Sequence, residues 1–331
     1  MTYSKPHLTF EEQVEKLIDR GLECSDKPAA IQLLTAVGYY RVTGYVYPFR
    51  KEIPEDQRDP AQPFRYRLEA IKDGVTFDHV RGIWNFDRKL RNRCLEAVEI
   101  IEIGLRTQVA YTLGMHDKFG HLTRSSLDEG ECKLSSGRED GSDRFEAWIA
   151  DHEKLRRRAL QSEDYVKHNT NIYGEKLPVW IAVEFLDFGA LSQLFGLLRK
   201  TDQTAIAQHL GIKGGMLVRR WLRDINYVRN LCAHHSRLWN RVPTYKPGKF
   251  TRYQVPEILK HAAEHNVRDK VYVHLAVMAY LVVRIDPTSN WPRSLATVVN
   301  KFPDIPYLTP EQNMGFPNGW KDLELWRTGK G

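Results

Sequence analysis

Apolar residues recur at helical spacing along a stretch that begins at Thr76. In TFDHVRGIWNFDRKLRNRCLEAVEIIEIGLRTQVAYTLG they lie three, four and seven positions apart, which is typical of a long amphipathic helix that buries one side. Two acid–base pairs four positions apart, Asp87 with Arg91 and Glu102 with Arg106, are expected on its polar face. The apolar positions are Val80, Ile83, Leu90, Cys94, Val98, Ile101, Leu105 and Val109.

Shorter helical patterns fill most of the remaining chain, so the sequence predicts a mainly α fold. Pro178 suits a first helical turn. The most apolar stretch, VYVHLAVMAYLVV at 271–283, is too short to span a bilayer and carries His274, which predicts a buried helix and no membrane association. The predicted helices cover 10–21, 28–37, 145–161, 178–199, 214–236 and 269–285.

Composition changes along the chain predict three parts. Residues 1–75 form a small N-terminal helical and aromatic module, and residues 76–285 form the main helical domain. Residues 125–147 are rich in Ser, Gly and acids, which indicates a loop insertion of weak order. Residues 286–331 carry prolines at short intervals, which predicts a C-terminal extension that wraps the domain as loops and short turns.

The four cysteines show neither metal-binding spacing nor a disulfide framework, which is typical of free thiols in a reducing compartment. The N-terminal MTYSKPHLTFEEQVEKL has no apolar leader. We therefore expect a cytoplasmic protein.

Positive charge is concentrated in one segment. Of a net charge of +7, the stretch from Lys213 to Arg252 contributes +9, because ten Lys or Arg stand against one acid, Asp224, so the rest nets −2. Such a segment favours a polyanionic partner such as a nucleic acid. The residues predicted to bind RNA are Arg219, Arg220, Arg223, His235, Arg237 and Arg241.

The stretch RNLCAHHSRLWNR at 229–241 combines residues suited to phosphodiester chemistry. Asn230 and His234 fall on one helical face, and Arg229 flanks that face. A histidine can transfer the proton in a ribose 2′-OH attack, while an arginine stabilises charge on the phosphate and the asparagine orients one of them. Catalytic roles are therefore predicted for these three residues, with 2′,3′-cyclic phosphate and 5′-OH product ends, and His235 remains an alternative to His234.

Other features of the sequence bear on metal, cofactor and RNA binding. No local spacing supplies further ligands for a metal beside the two histidines, and GIKGGM does not match a phosphate-binding loop, so no metal and no cofactor is expected. The group Glu99, Glu102 and Arg106 is interpreted as a salt-bridge net, although it could touch the catalytic cleft. The aromatic run at 39–49, with Arg41 and Arg50, either packs in the core or forms a base-stacking platform.

Several blocks resemble the abortive-infection AbiD/AbiF-like family of bacterial phage-defence proteins, whose members carry an HEPN-type ribonuclease motif. The blocks are AVGYYRVTGYVYPF, WNFDRKLRNRCLEAVEIIEIGLR, VWIAVEFLDFGALSQLF and VRNLCAHHSRLWNR, in the order of that family. The resemblance implies an HEPN-like bundle of four or five helices, an RNA substrate, and Arg229, Asn230 and His234 as the motif. It also implies a structured non-coding RNA as a regulator and a homodimer with a composite site.

Two other function classes remain open. A non-catalytic RNA-binding protein would dock a structured RNA on the basic helix, and an inactive relative would act through protein contacts. Alanine at Arg229 or His234 separates the first from an enzyme, because an enzyme loses cleavage while it keeps most of its RNA binding. A monomer in which Arg91 or Arg106 supplies the opposing groups is the alternative to the homodimer.

Overall fold

The computed structural model describes residues 6–62, 64–243, 250–264 and 269–327. Within these ranges the chain is mainly helical, with sixteen α-helices and one two-stranded sheet, so the predicted mainly α class is confirmed. The HEPN-like arrangement of the bundle stays a prediction. The N-terminal elements are α1 (Phe10–Asp19), α2 (Lys27–Val37), α3 (Tyr39–Val46), β1 (Arg50–Glu52), β2 (Arg67–Ile71) and α4 (Phe77–Gly114).

The remaining helices follow α4. Short 3₁₀ helices lie at Tyr47–Phe49, Glu55–Gln57, Gly120–Leu122, Arg124–Ser126, Glu257–Leu259 and Trp320–Asp322. The middle of the chain contains α5 (Glu129–Cys132), α6 (Arg144–Ser162), α7 (Asp164–Tyr173), α8 (Val179–Phe185), α9 (Phe188–Leu197), α10 (Lys200–His209) and α11 (Gly215–Ala233). The C-terminal helices are α12 (Lys260–Glu264), α13 (Tyr272–Ile285), α14 (Trp291–Asn300), α15 (Pro310–Met314) and α16 (Glu324–Arg327).

Helix α4 is the central element, and its predicted extent is confirmed. Thr76 caps its N-terminus by accepting a hydrogen bond from the backbone N–H of His79, and the ring of His79 accepts one from Thr76 N–H. The whole predicted apolar stripe is buried, and α4 packs against α3, α8, α11, α13 and α14. A helix that is covered along most of its length fixes the relative positions of the elements around it.

The two acid–base pairs of α4 differ in their surroundings. Glu102 and Arg106 are half-buried, as expected near a polar face. The prediction for the other pair is wrong, because the side chains of Asp87 and Arg91 are only 0% and 3% exposed. Four-residue spacing places two residues on one side of a helix, but it does not show whether that side faces solvent.

Residues 125–147 are more structured than the predicted loop. They contain part of a 3₁₀ helix, α5 and the start of α6, and Leu127 and Cys132 are buried. The carboxylate of Glu131 forms ion pairs with Arg144, with Lys200 at 2.9 Å and with Arg219 at 3.0 Å. These contacts attach the segment to α6, α10 and α11, so a composition rich in Ser and Gly did not produce an unattached loop.

The stretch predicted as one helix over 178–199 forms two. Pro178 is the N-terminal cap residue of α8 in extended conformation, and α8 ends at Phe185. Asp187 then caps α9 by accepting a hydrogen bond from Ala190 N–H at 2.8 Å. An aspartate that caps a new helix N-terminus competes with continuation of the preceding helix.

Helix α13 is buried along Tyr272–Val282, as predicted, and it contacts α4, α11 and α14. Across the described ranges, the helices are all too short or too polar to cross a membrane.

The C-terminal extension contains more helix than predicted. Helix α14 spans ten residues and packs on α4, where Trp291 Nε1–H donates to the carbonyl of Arg93 at 2.7 Å. Buried side chains from residues 1–75, 76–285 and 286–331 belong to one connected hydrophobic core. The three-part division stays a prediction, but its parts share this core.

Candidate functional site

Helix α11 ends at the first histidine of the motif, three residues before the predicted end. His234 is the C-terminal cap residue, and its N–H bonds to the carbonyl of Asn230 at 3.0 Å. His235 has a φ of 55°, the left-handed conformation in which glycine more often ends a helix. The N–H of Ser236 reaches back to the carbonyl of Leu231 at 2.8 Å. The two histidines therefore occupy a helix end and a turn.

The three predicted catalytic residues lie near the end of α11 and at its C-terminal cap. Arg229 Nη1 donates to Asn230 Oδ1 at 3.1 Å, and both residues are half-buried. His234 is exposed. The asparagine thus contacts the arginine, and the ring of His234 is accessible to a ligand. The catalytic roles of the three residues stay predictions.

Arg229 lines a cleft of about 600 Å³ between α4, α6 and α8, which we call the Arg229 cleft. Glu102, Arg106 and Glu184 line it as well. Arg106 pairs with Glu102 at 2.5 Å and with Glu184 at 3.5 Å, and it donates to the carbonyl of Leu186 at 2.8 Å. Burial raises the pKa of Glu102, and Arg106 and Arg229 oppose that rise. Glu102 and Arg106 are therefore both a salt bridge and part of the wall beside Arg229.

A second cleft, of about 560 Å³, lies on the other side of the motif, between α3 and the turn after α11. We call it the Tyr40 cleft. Its lining contains four arginines, His235 and three tyrosines, and it contains no carboxylate. The principal lining residues are Tyr40, Arg41, Tyr47, Arg50, Arg237 and Arg241.

Two arginines connect the walls of the Tyr40 cleft. Arg41 of α3 donates to the carbonyl of His235, and Arg237 donates to the carbonyl of Gly44. Burial lowers the pKa of Arg237, since the guanidinium is largely removed from water. Because each arginine binds a backbone carbonyl of the opposite wall, these hydrogen bonds fix the two walls relative to each other.

Asp87 of α4 binds the turn that follows α11. Its carboxylate accepts from Tyr45 O–H at 2.6 Å, from Arg91, and from the N–H groups of Leu238 and Trp239 at 3.1 and 2.8 Å. Burial raises the pKa of Asp87, and Arg91 with the other donors opposes that rise. One buried carboxylate therefore connects α3, α4 and the segment that follows the two histidines.

The six residues predicted to bind RNA fall into two groups. His235, Arg237 and Arg241 line the Tyr40 cleft, where Arg241 Nε–H also donates to Tyr227 O–H at 3.1 Å. The other three lie along α11, and they are Arg219, Arg220 and Arg223. Arg219 is paired with Glu131, Arg220 is half-buried and Arg223 is exposed. Lys246 and Lys249 of the basic segment lie outside the described residues.

Sequence reasoning missed the residues that shape the site. Asp87 and Arg91 were assigned to a polar helix face, and Arg91 is too buried to act as an opposing group in a monomeric site. Arg41 and Arg50 were considered only as part of an aromatic run, in which Tyr45 and Phe49 are buried and Tyr40 is exposed. Their partners lie up to 194 residues away, so no local pattern could identify them.

No three His, Cys, Asp or Glu side chains are grouped so that they could hold a metal ion in the part of the chain that the structure describes.

Comparison with known proteins gives one match. A family model described as Abi-like protein matches residues 32–240, which is more than half of the chain. The matched region begins in α2 and ends just after the turn that carries the two histidines. No curated protein and no solved structure matches the chain.

Proposed function

The chain belongs to the Abi-like protein family, and from that premise we propose that it is an endoribonuclease of abortive-infection phage defence that acts in the bacterial cytoplasm. Family membership supports the defence role. We further propose the ribonuclease activity, the HEPN-like bundle and the site residues. The geometry at the end of α11 supports the activity and the site residues.

One observation carries the proposal. Arg229 and Asn230 lie near the C-terminal end of α11, the exposed His234 is its C-terminal cap residue, and Asn230 contacts the guanidinium of Arg229. The imidazole of an exposed histidine can accept and donate a proton, and an arginine guanidinium can bind two phosphate oxygens at once. A phosphodiester bound beside this helix end would meet both groups.

The proposed reaction is an internal transfer at phosphorus. His234 removes the proton of a ribose 2′-OH, the 2′ oxygen bonds to phosphorus, and the bond from phosphorus to the 5′ oxygen breaks. Arg229 stabilises the charge on the phosphate oxygens, and the departing 5′ oxygen takes up a proton. The products carry a 2′,3′-cyclic phosphate and a 5′-OH. These residues supply the proton transfer and the charge, so we expect cleavage to persist in EDTA.

A non-catalytic RNA-binding protein is the second candidate, because the Tyr40 cleft is basic and lacks a carboxylate. Such a protein would dock a structured non-coding RNA, and it would need no accessible histidine. The two candidates differ in what a single alanine at His234 removes, since a binding protein would lose only a modest, salt-dependent part of its affinity.

The test compares purified wild type, Arg229→Ala and His234→Ala in EDTA, with His168→Ala as the control because His168 is an exposed histidine of α7. We expect both site variants to lose at least about a hundredfold in cleavage rate while they retain most RNA binding. The control should cleave like wild type. Retained cleavage in His234→Ala would contradict the proposed mechanism, as would activity that EDTA abolishes and Mg²⁺ restores.

A further inference from the structure

The Tyr40 cleft does not end at Tyr47. A neighbouring cleft of about 520 Å³ shares Tyr47, Arg237 and Arg241 with it and extends towards the C-terminal part of the chain. We call this neighbour the Tyr307 cleft, since Tyr307 lines it together with Arg67, Lys72 and Lys270. The three shared side chains place the two clefts side by side on one surface, and we call the two clefts together the track.

The charge of the track is strongly one-sided. Four Arg line the Tyr40 cleft and five Arg or Lys line the Tyr307 cleft; two are shared, which leaves seven cations. Glu52 is the one carboxylate in the two linings, and it is paired with Arg67 at 2.9 Å. In the Arg229 cleft, by contrast, four carboxylates face three arginines. The track would therefore attract a polyanion more strongly than the Arg229 cleft does.

In the part of the chain that the structure describes, the cations of the Tyr40 cleft are not paired with acidic side chains. Arg41, Arg50, Arg237 and Arg241 form no ion pair with a carboxylate among the described residues. The Nε of Arg50 is buried and has no hydrogen-bond partner in those ranges, although the guanidinium lies 5.7 Å from the ring centroid of Tyr47. Several positive charges held together without counter-charge form a site that an anion would stabilise.

Aromatic side chains are spaced along the track. Tyr40 is 92% exposed, and Tyr47 and Tyr307 are 37% and 53% exposed. Lys72 Nζ lies 4.9 Å from the ring centroid of Tyr307, so a cation accompanies this ring as Arg50 accompanies Tyr47. The apolar faces of a nearly fully exposed tyrosine ring remain in contact with water, and a base stacked on the ring would cover one of them.

From this combination we infer that the track binds a single-stranded stretch of RNA, with successive bases stacked on Tyr40, Tyr47 and Tyr307 and phosphates on Arg50, Arg241 and Lys72. A duplex keeps its bases stacked on one another, so it could use the cations but not the rings. The inference rests on the proposed function for RNA as the ligand. His235 lines the track next to His234, so a strand bound there is delivered to the proposed site.

The test measures binding of a fluorescein-labelled 12-nucleotide 2′-O-methyl oligouridine, which lacks the 2′-OH and cannot be cleaved by 2′-OH attack. The proteins are wild type, Tyr40→Ala, Arg50→Ala, and the controls Tyr173→Ala and Lys133→Ala, whose exposed side chains line neither cleft. We expect Tyr40→Ala to weaken binding about tenfold without changing the salt dependence. Arg50→Ala should weaken it and lower the slope of log affinity against log salt by about 0.7.

The controls should bind like wild type, and all variants should melt within a few degrees of it. Wild-type affinity in both Tyr40→Ala and Arg50→Ala would overturn the track, and so would equal affinity for the duplex form of the probe. Uridine monophosphate that binds as tightly as the 12-mer would also overturn it, since the site would then be a mononucleotide pocket. Cleavage does not enter this measurement, so its outcome is independent of the test of His234.

Discussion

Asp87 shows how a single residue can decide the geometry of a site that it does not enter. Its carboxylate accepts hydrogen bonds from Tyr45, from Arg91 and from two backbone N–H groups of the turn after α11. Without this carboxylate, the amides of Leu238 and Trp239 would lose their acceptor, and the buried guanidinium of Arg91 would lose its counter-charge. The orientation of the turn that carries His235 therefore depends on α4.

We expect Asp87→Ala to lower the free energy of unfolding by about 3–5 kcal/mol, because it leaves a buried cation without its partner. The exposed pair of Glu129 and Lys133 provides the control, since Glu129→Ala should unfold close to the wild-type urea concentration. Urea denaturation at neutral pH measures both. A loss below about 1 kcal/mol for Asp87→Ala would show that the network does not hold the turn.

Three buried histidines make stability depend on acid. Burial lowers the pKa of His121 to about 3 and that of His152 and His274 to about 4. Unfolded histidines titrate near 6.5, so below that pH the unfolded chain binds protons that the folded chain does not. Stability from these groups is thus fully present above about pH 6.5 and is lost as pH falls towards 4.

A phenylalanine, which cannot bind a proton, at one of these positions tests whether the buried histidine lowers stability in acid. His152 packs against Trp148 and Phe185, with ring centroids 5.7 and 5.4 Å away, so His152→Phe suits its surroundings. Between pH 6 and 4.5 the unfolding free energy of His152→Phe should fall less steeply than that of wild type. The two slopes should differ by about 1.4 kcal/mol per pH unit. Exposed His168→Phe is the control and should follow wild type. Equal slopes for His152→Phe and wild type would contradict the assignment.

Among the elements, long amphipathic helices were predictable and their ends were not. The stripe of α4 is set by local spacing, and its start follows from the capping residue Thr76. The end of α11 depends on Arg41 and Asp87, which are distant in sequence, so the pattern alone placed it three residues too late. The β1–β2 pair was missed because strands of three and five residues, mostly exposed, show no clear alternation.

Helix α11 also shows that basic residues on one element need not share a role. Arg219 and Arg223 lie four positions apart on the same face, but Arg219 is paired with Glu131 at 3.0 Å and Arg223 is exposed. Sequence reasoning gave both the same RNA-binding role. The partner of Arg219 lies in residues 125–147, a segment that the sequence indicated to be weakly ordered.

We therefore predict that Arg223→Ala weakens RNA binding more than Arg219→Ala does. Removal of an exposed cation should lower affinity a few-fold and reduce the salt slope by about 0.7, whereas the guanidinium of Arg219, which is held in an ion pair with Glu131, is less available to phosphate and contributes less. Fluorescence anisotropy over a salt series measures the difference, and thermal melting shows whether Arg219→Ala remains folded. Equal losses in the two variants would contradict the prediction.

For the whole molecule, the main question is whether one chain suffices for cleavage. Each chain holds one set of Arg229, Asn230 and His234, and we propose that two copies form a homodimer whose α11 ends approach around a two-fold axis. Two copies of a chain with a net charge of +7 repel each other, so bound RNA should strengthen the dimer. Arg106 remains the candidate for an opposing group in a monomer, since it lines the Arg229 cleft.

Sedimentation velocity with and without the uncleavable 12-mer tests the assembly, and mixing of inactive variants tests the composite site. We expect RNA to shift the protein towards the dimer, and we expect a mixture of Arg229→Ala and His234→Ala subunits to regain part of the activity. Each variant alone at the same total concentration is the control. Full-rate cleavage by a monomer at high dilution would exclude a composite site.

The most direct test of the account is a map of RNA 5′ ends after expression of wild type and of His234→Ala at equal protein levels. Ends that carry 5′-OH are captured by a ligase specific for them, and ends that carry phosphate are captured separately. We expect new 5′-OH ends with wild type and none above background with His234→Ala. New ends that carry 5′-phosphate, or equal 5′-OH ends from both proteins, would contradict it.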